Sequence, residues 1–222
     1  MCWILQTTKP RQLDMAVAES VAGKNPDGIG LMWFNRSGFL NTHKTVLGKT
    51  GFQDWWYSTY WDAATEAEDA GSELALHMRL ATHGAVNVEM AHPFPTGNGV
   101  QLMHNGVIDE GVLDNTLNER LQSYGGATAW GWWNTLSEVE DSASDTARYV
   151  ELLSRVLAKT RPEILRLPEF RRMMEYQLGD FNRILLGFNG DEEKRFYRVG
   201  TDGWQQWEGH WVSNTSYIPT RA

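Results

Sequence analysis

The residues able to do chemistry sit at the start of the chain and between His77 and Gly106. Cys2 is the only cysteine, which excludes an internal disulfide framework and leaves its thiol as either a small buried apolar group or a reactive one. Cys is small enough for the initiator Met1 to be trimmed. Trimming would put an α-amine (pKa about 7.7–8.0) and a thiol (about 8.5) on one residue, where the amine can serve as general base without a histidine. Arg79 can hold a carboxylate through two parallel bonds, a geometry Lys does not reproduce; its bland reading is a strand-end ion pair. Thr82, His83 and Gly84 follow as a loop leaving that strand. Asn105-Gly106 is ordinarily a turn, because both residues tolerate positive φ. It is equally a pair whose side-chain amide and backbone N–H can converge on one oxyanion. Asp145 taken alone is a first-turn acid or cap, stabilising by about 0.3–2 kcal/mol. His77, His83, His92 and His104 match no i, i+4 or short-loop ligand spacing, and with no second cysteine neither a metal nor another cofactor is expected.

Positioning falls to elements of both periods. Leu74, Leu76, Met78 and Leu80 alternate with Glu73, Ala75, His77 and Arg79, the pattern of a half-buried strand whose other face carries Arg79. Further strands are expected at 1–5, 29–34, 39–46, 100–103, 181–188, 195–199 and 207–213, with Asn35-Arg36-Ser37-Gly38 and Asn189-Gly190 as hairpin turns. Apolar residues at helical spacing predict helices over 11–22, ended by Gly23, and over 54–70, 109–122 and 149–157, with one or two more over 162–178 interrupted near Pro168. Residues 123–134 are rich in Gly and Trp without a period and read as a loop. Gly48-Lys49-Thr50 lacks the first glycine of a phosphate loop, since position 43 is His43, so no nucleotide site is expected there. Arg166, Arg171 and Arg172 read as solvated.

Cys2, the strand end Arg79-x-Ala81-Thr82-x-Gly84 and the loop His104-Asn105-Gly106 together resemble the glutaminase domain of class II, N-terminal nucleophile, glutamine amidotransferases. The Asp27 turn before the second strand and the pair Asp145-Thr146 also match. Lys24-Asn25-Pro26 stands where many relatives have Arg-Gly, and Ala147 where many have an acid. The resemblance implies an α+β fold, a four-layer αββα sandwich of Ntn-hydrolase type; the periodicity alone gives only mixed α and β. It also implies Cys2 as nucleophile, the Asn105 amide and Gly106 N–H as oxyanion donors, and Arg79, Thr82, His83 and Asp145 as substrate-binding residues. Arg79 would take the α-carboxylate of glutamine and Asp145 the α-ammonium.

Length and composition narrow what such a site could serve. The chain of 222 residues is expected to be one domain, 1–222, without a synthase domain. A net charge of −8 argues against nucleic acid or an anionic membrane as partner. No apolar run reaches the roughly 20 residues of a membrane span, which points to the cytoplasm. Eleven tryptophans read mainly as packing, with Trp132 and Trp133 as a candidate docking edge for a partner. Three functions stay open: a glutamine amidotransferase subunit that feeds ammonia to a separate synthase, a hydrolase of another γ-glutamyl amide, and a non-catalytic scaffold.

Overall fold

The strand Trp3–Thr7 (β1) is buried at every position, because it has a strand on each side and a packed layer on each face. The computed structural model describes residues 2–47, 51–82, 84–109, 144–200 and 203–218. The expected loop 123–134, His83, the Gly-Lys-Thr stretch and all but the first residue of the expected helix 109–122 lie outside them. β1 pairs antiparallel with Leu74–Arg79 (β4) in a sheet of six strands. Gly28–Phe34 (β2), Leu40–Thr45 (β3), Gln205–Trp207 (β9) and His210–Val212 (β10) complete it, in the order β3-β2-β4-β1-β10-β9. A second sheet has Phe94–Pro95 (β5), Val100–Asn105 (β6), Arg183–Phe188 (β7) and Tyr197–Val199 (β8) in sequential order.

Strand alternation decides which side chains meet which layer. Trp3, Leu5, Ile29, Leu31, Leu74, Leu76 and Met78 pack on helix Met15–Lys24 (α1) and on the helical run from Phe52 to Asp69 (α2). Ile4, Met32, Phe34, Ala75, Met103 and Leu185 form the layer between the two sheets. Val100, Leu102, Ile184, Leu186 and Phe188 pack on helices Asp145–Leu157 (α3) and Pro168–Leu178 (α4). Helices, sheet, sheet and helices make the αββα sandwich expected above.

Several local expectations change under tertiary packing. β4 is buried on both faces rather than half-buried, because the second sheet covers its polar side. α1 begins after an Asp14 cap, whose carboxylate accepts from the Ala16 N–H, and runs through Gly23 to an end at Asn25. α2 contains a π turn, Trp56–Tyr60, that brings Trp56 against the Tyr60 ring at 3.9 Å and leaves Tyr57 and Trp61 exposed. The single strand expected over 207–213 is a hairpin, β9–β10, folded back at Glu208 and Gly209, both at positive φ. Arg166 is not simply solvated: it lies 2.6 Å from the fully buried Asp191. Arg171 donates to the Leu165 carbonyl at 2.5 Å and lies over the Tyr197 ring.

Candidate active site

Cys2 lies just before β1 and is half-buried. Its thiol approaches the Leu80 carbonyl at 3.7 Å, which puts the sulfur against the chain just beyond Arg79. Burial pushes the thiol above its ordinary value; the Arg79 guanidinium opposes that rise and the Asp145 carboxylate adds to it. Both charges are therefore felt at the sulfur. The strand end facing Cys2 is held by the Asp27 turn, where the Asp27 N–H donates to the Arg79 carbonyl at 3.0 Å and the Asp27 carboxylate accepts from the Ala81 N–H at 2.8 Å. That brace survives without the Arg-Gly of the resembling family.

Arg79 is buried, and its guanidinium donates to the Ala85 carbonyl at 3.0 Å. A Cβ placed on Gly84 would stand 3.6 Å from Arg79 Nη2 and 3.5 Å from Ser144 Cβ, so Arg79 and the start of α3 meet across that glycine. Thr82 is exposed at the rim, and His83 lies outside the described residues. Ser144 caps α3 by accepting from the Ala147 N–H at 3.2 Å. Asp145 accepts from the Ile108 N–H at 2.7 Å with one oxygen and from the Thr146 N–H at 2.7 Å with the other. The bland reading of Asp145 as a first-turn acid is thus correct, and it also ties the segment after Gly106 to α3. Asp145 Oδ1 also lies 3.3 Å from the Thr146 hydroxyl, whose proton goes to His104 at 2.8 Å, so each carboxylate oxygen keeps a second lone pair.

His104 turns away from the cleft. Its Nε2–H donates to Asn182 Oδ1 at 2.7 Å, since the Asn182 NH2 is given to the Leu178 carbonyl, so Nδ1 accepts the Thr146 hydroxyl at 2.8 Å. Burial holds this imidazole below its ordinary value. His77, on the inter-sheet face of β4, bridges the sheets: Nε2 lies 3.0 Å from the His104 carbonyl and donates to it. Burial pushes its pKa down to about 3, so it stays neutral. Asn105 projects into the inter-sheet space and is buried; its Nδ2 lies 2.9 Å from Ser213 Oγ, and its Oδ1 is buried without a partner. Gly106 has φ 150°, and a Cβ there would come within 2.3 Å of Asn182 Oδ1. Only glycine fits the turn.

Two residues that carry no motif complete the arrangement. Ser213 Oγ also accepts from the Ile4 N–H at 2.9 Å, and Asn214 Nδ2 donates to the Cys2 carbonyl at 3.0 Å. The end of β10 therefore holds the Cys2 backbone with one side chain and the Asn105 amide with the next. Ser and Asn after a short strand are ordinary turn residues, so no sequence signal separates them from a loop. Cys2, Arg79, Asp145, Asn105 and Gly106 are thus joined by short contacts through Leu80, Gly84, Ile108, Ser213 and Asn214, and Thr82 is exposed beside them.

No protein-family model matches the chain. Over 64 residues it is 41% identical to the glutamine–fructose-6-phosphate aminotransferases (isomerizing) of two Vibrio vulnificus strains, YJ016 and CMCP6, a match covering 29% of this chain and 10% of theirs. Among solved structures it is similar to glutamine phosphoribosylpyrophosphate amidotransferase from B. subtilis complexed with ADP and GMP, with TM-score 0.53 and 14% identity. It is also similar to a structure described as the allosteric regulatory enzyme of purine biosynthesis, with TM-score 0.52 and 16% identity. Each likeness covers 98% of this chain and 42% of the other, so the chain spans well under half the length of those proteins. The chain has the Ntn-hydrolase fold of these two structures, and resembles the class II glutaminase domain to which its motifs pointed.

Proposed function

We propose that the chain hydrolyses the side-chain amide of glutamine with Cys2 as nucleophile and supplies the ammonia to a separate acceptor synthase. Trimming Met1 exposes the Cys2 α-amine, which takes the thiol proton as sulfur attacks the amide carbon. The tetrahedral oxyanion is met by the Asn105 amide and the Gly106 N–H, each such donor being worth roughly 2.7–4 kcal/mol. As the C–N bond breaks, the proton passes from the amine to the departing nitrogen, ammonia leaves and a γ-glutamyl thioester remains. Water, deprotonated by the same amine, cleaves the thioester to glutamate and the free thiol. Arg79 pairs with the substrate α-carboxylate and Asp145 takes the α-ammonium on its second lone pairs, while Thr82 and His83 shape the rim.

The observation that carries this reading is the short hydrogen-bonded path from Cys2 through Asn214 and Ser213 to Asn105. It supports a nucleophile and an oxyanion donor facing one cleft. Intact-mass measurement after incubation with an electrophilic glutamine analogue tests it: one adduct on Cys2 of a chain lacking Met1 is expected, with Cys2→Ala unlabelled, inactive and folded. Full turnover by a Met1-retaining chain would overturn it. Rapid hydrolysis of a substituted γ-glutamyl amide alongside poor use of glutamine would instead make the chain a hydrolase of that amide.

A further inference from the structure

Asn105 is 4% exposed, and the orientation of its carboxamide decides whether it offers a donor or an acceptor. With Nδ2 on Ser213 Oγ, the amide oxygen is left buried and unpartnered. Ser213 Oγ then accepts twice, from the Ile4 N–H and from Asn105, and its own proton has no acceptor among the described residues. In that orientation an oxyanion beside the carboxamide would meet an acceptor, which repels it. A half-turn of the amide about χ2 changes the roles without moving a heavy atom appreciably. Ser213 still accepts from Ile4 and now donates to Asn105 Oδ1. The orphan oxygen and the orphan hydroxyl proton are satisfied together, and the NH2 takes the buried, unpartnered position the oxygen held, where an incoming oxyanion is the acceptor it lacks.

We infer that Ser213 is a positioning residue which, by donating to the Asn105 carbonyl oxygen, aims the Asn105 NH2 at the oxyanion formed on Cys2. The inference deepens the function proposed above and rests on it. Ser213 suits the task because β1 holds it at two points: its backbone N–H donates to the Ile4 carbonyl at 2.9 Å while its hydroxyl receives the Ile4 N–H, and it is 5% exposed. Ile4 is two residues from the nucleophile, so the hydroxyl that orients the amide is itself registered to the strand bearing the sulfur.

Steady-state kinetics of glutamine hydrolysis by the full chain, with active sites titrated by the electrophilic analogue, test the assignment. Ser213→Ala is expected to lower kcat about tenfold or more, with KM within about twofold of the wild type, because the donor acts on the transition state. In an Asn105→Ala background the same change is expected to have no further effect, since the residue acts only through that amide. A merely structural role would lower kcat equally in both backgrounds. Ser213→Cys, which keeps the shape with a weaker donor, gives an intermediate kcat and serves if Ser213→Ala does not fold. Wild-type kcat in Ser213→Ala or Ser213→Cys, or an undiminished loss on top of Asn105→Ala, overturns the inference alone. A wild-type chain that hydrolyses no γ-glutamyl amide overturns the proposed function and the inference with it.

Discussion

Gly106 carries both a chemical and a steric demand. Its N–H is a candidate oxyanion donor, and its φ of 150° with Asn182 Oδ1 2.3 Å from any added Cβ leaves no room for a side chain. Gly106→Ala is therefore expected to destabilise the fold by more than about 1 kcal/mol in urea unfolding. It is also expected to lower kcat for amide hydrolysis by more than it raises KM, because in the proposed reaction the displaced N–H serves the transition state. Unchanged stability and kcat would mean that the turn can be rebuilt with a side chain. At this scale the sequence was informative where a residue type is scarce or geometrically demanding: the single cysteine, the arginine opposite an apolar stripe, and the Asn-Gly pair. It was silent on Ser213 and Asn214, whose importance comes only from what lies across from them.

The elements that frame the cleft are held by contacts at their ends. The Asp27 turn clamps the end of β4 through the Arg79 carbonyl and the Ala81 N–H, which sets where the Leu80 carbonyl meets the Cys2 sulfur. Asp27→Ala is expected to cost about 1.5–3 kcal/mol, the range for a hydrogen bond to a charged group. Asp27→Asn, which keeps an acceptor, should cost less. Thermal denaturation of both variants checks this, and equal melting temperatures would discount the clamp. The helices at 149–157 and 168–178 and the β2–β3 hairpin were legible because each carries its period and its stop within its own residues. The β9–β10 hairpin was not, since its turn residue Glu208 adopts positive φ (49°) without the Asn-Gly or Asp-Gly signal that usually announces such a turn.

At the scale of the molecule, four imidazoles are buried among the described residues, His77, His92, His104 and His210. Burial pushes His77 down to about 3 and also lowers His92 and His104. An unfolded chain would protonate each near its ordinary value of 6.5, while native His77 resists until about 3. The unfolded state therefore holds more protons throughout that interval, and stability falls as pH drops below 6.5, by at most about 1.4 kcal/mol per pH unit for each histidine. Urea unfolding at pH 7.5 and pH 5 should give a lower midpoint at pH 5. In His77→Gln, which retains a donor for the His104 carbonyl, the difference should shrink. A midpoint that does not fall at pH 5 would show that these side chains reach solvent in the native state.

From its sequence alone, the chain determined the candidate site residues and the alternation that puts Leu74, Leu76 and Met78 on one side of β4 and Arg79 on the other, because side-chain types and strand periods are local properties. Only the tertiary structure decided that Ser213 reaches Ile4 across 209 residues and Asn105 across 108. It also decided that the Arg79 side of β4 is covered rather than solvated. Those outcomes depend on strand order and on how two sheets stack, and a hydrogen bond between distant strands leaves no period in either segment. The cleft is therefore written in the sequence as separate residue types and assembled only when the sandwich closes.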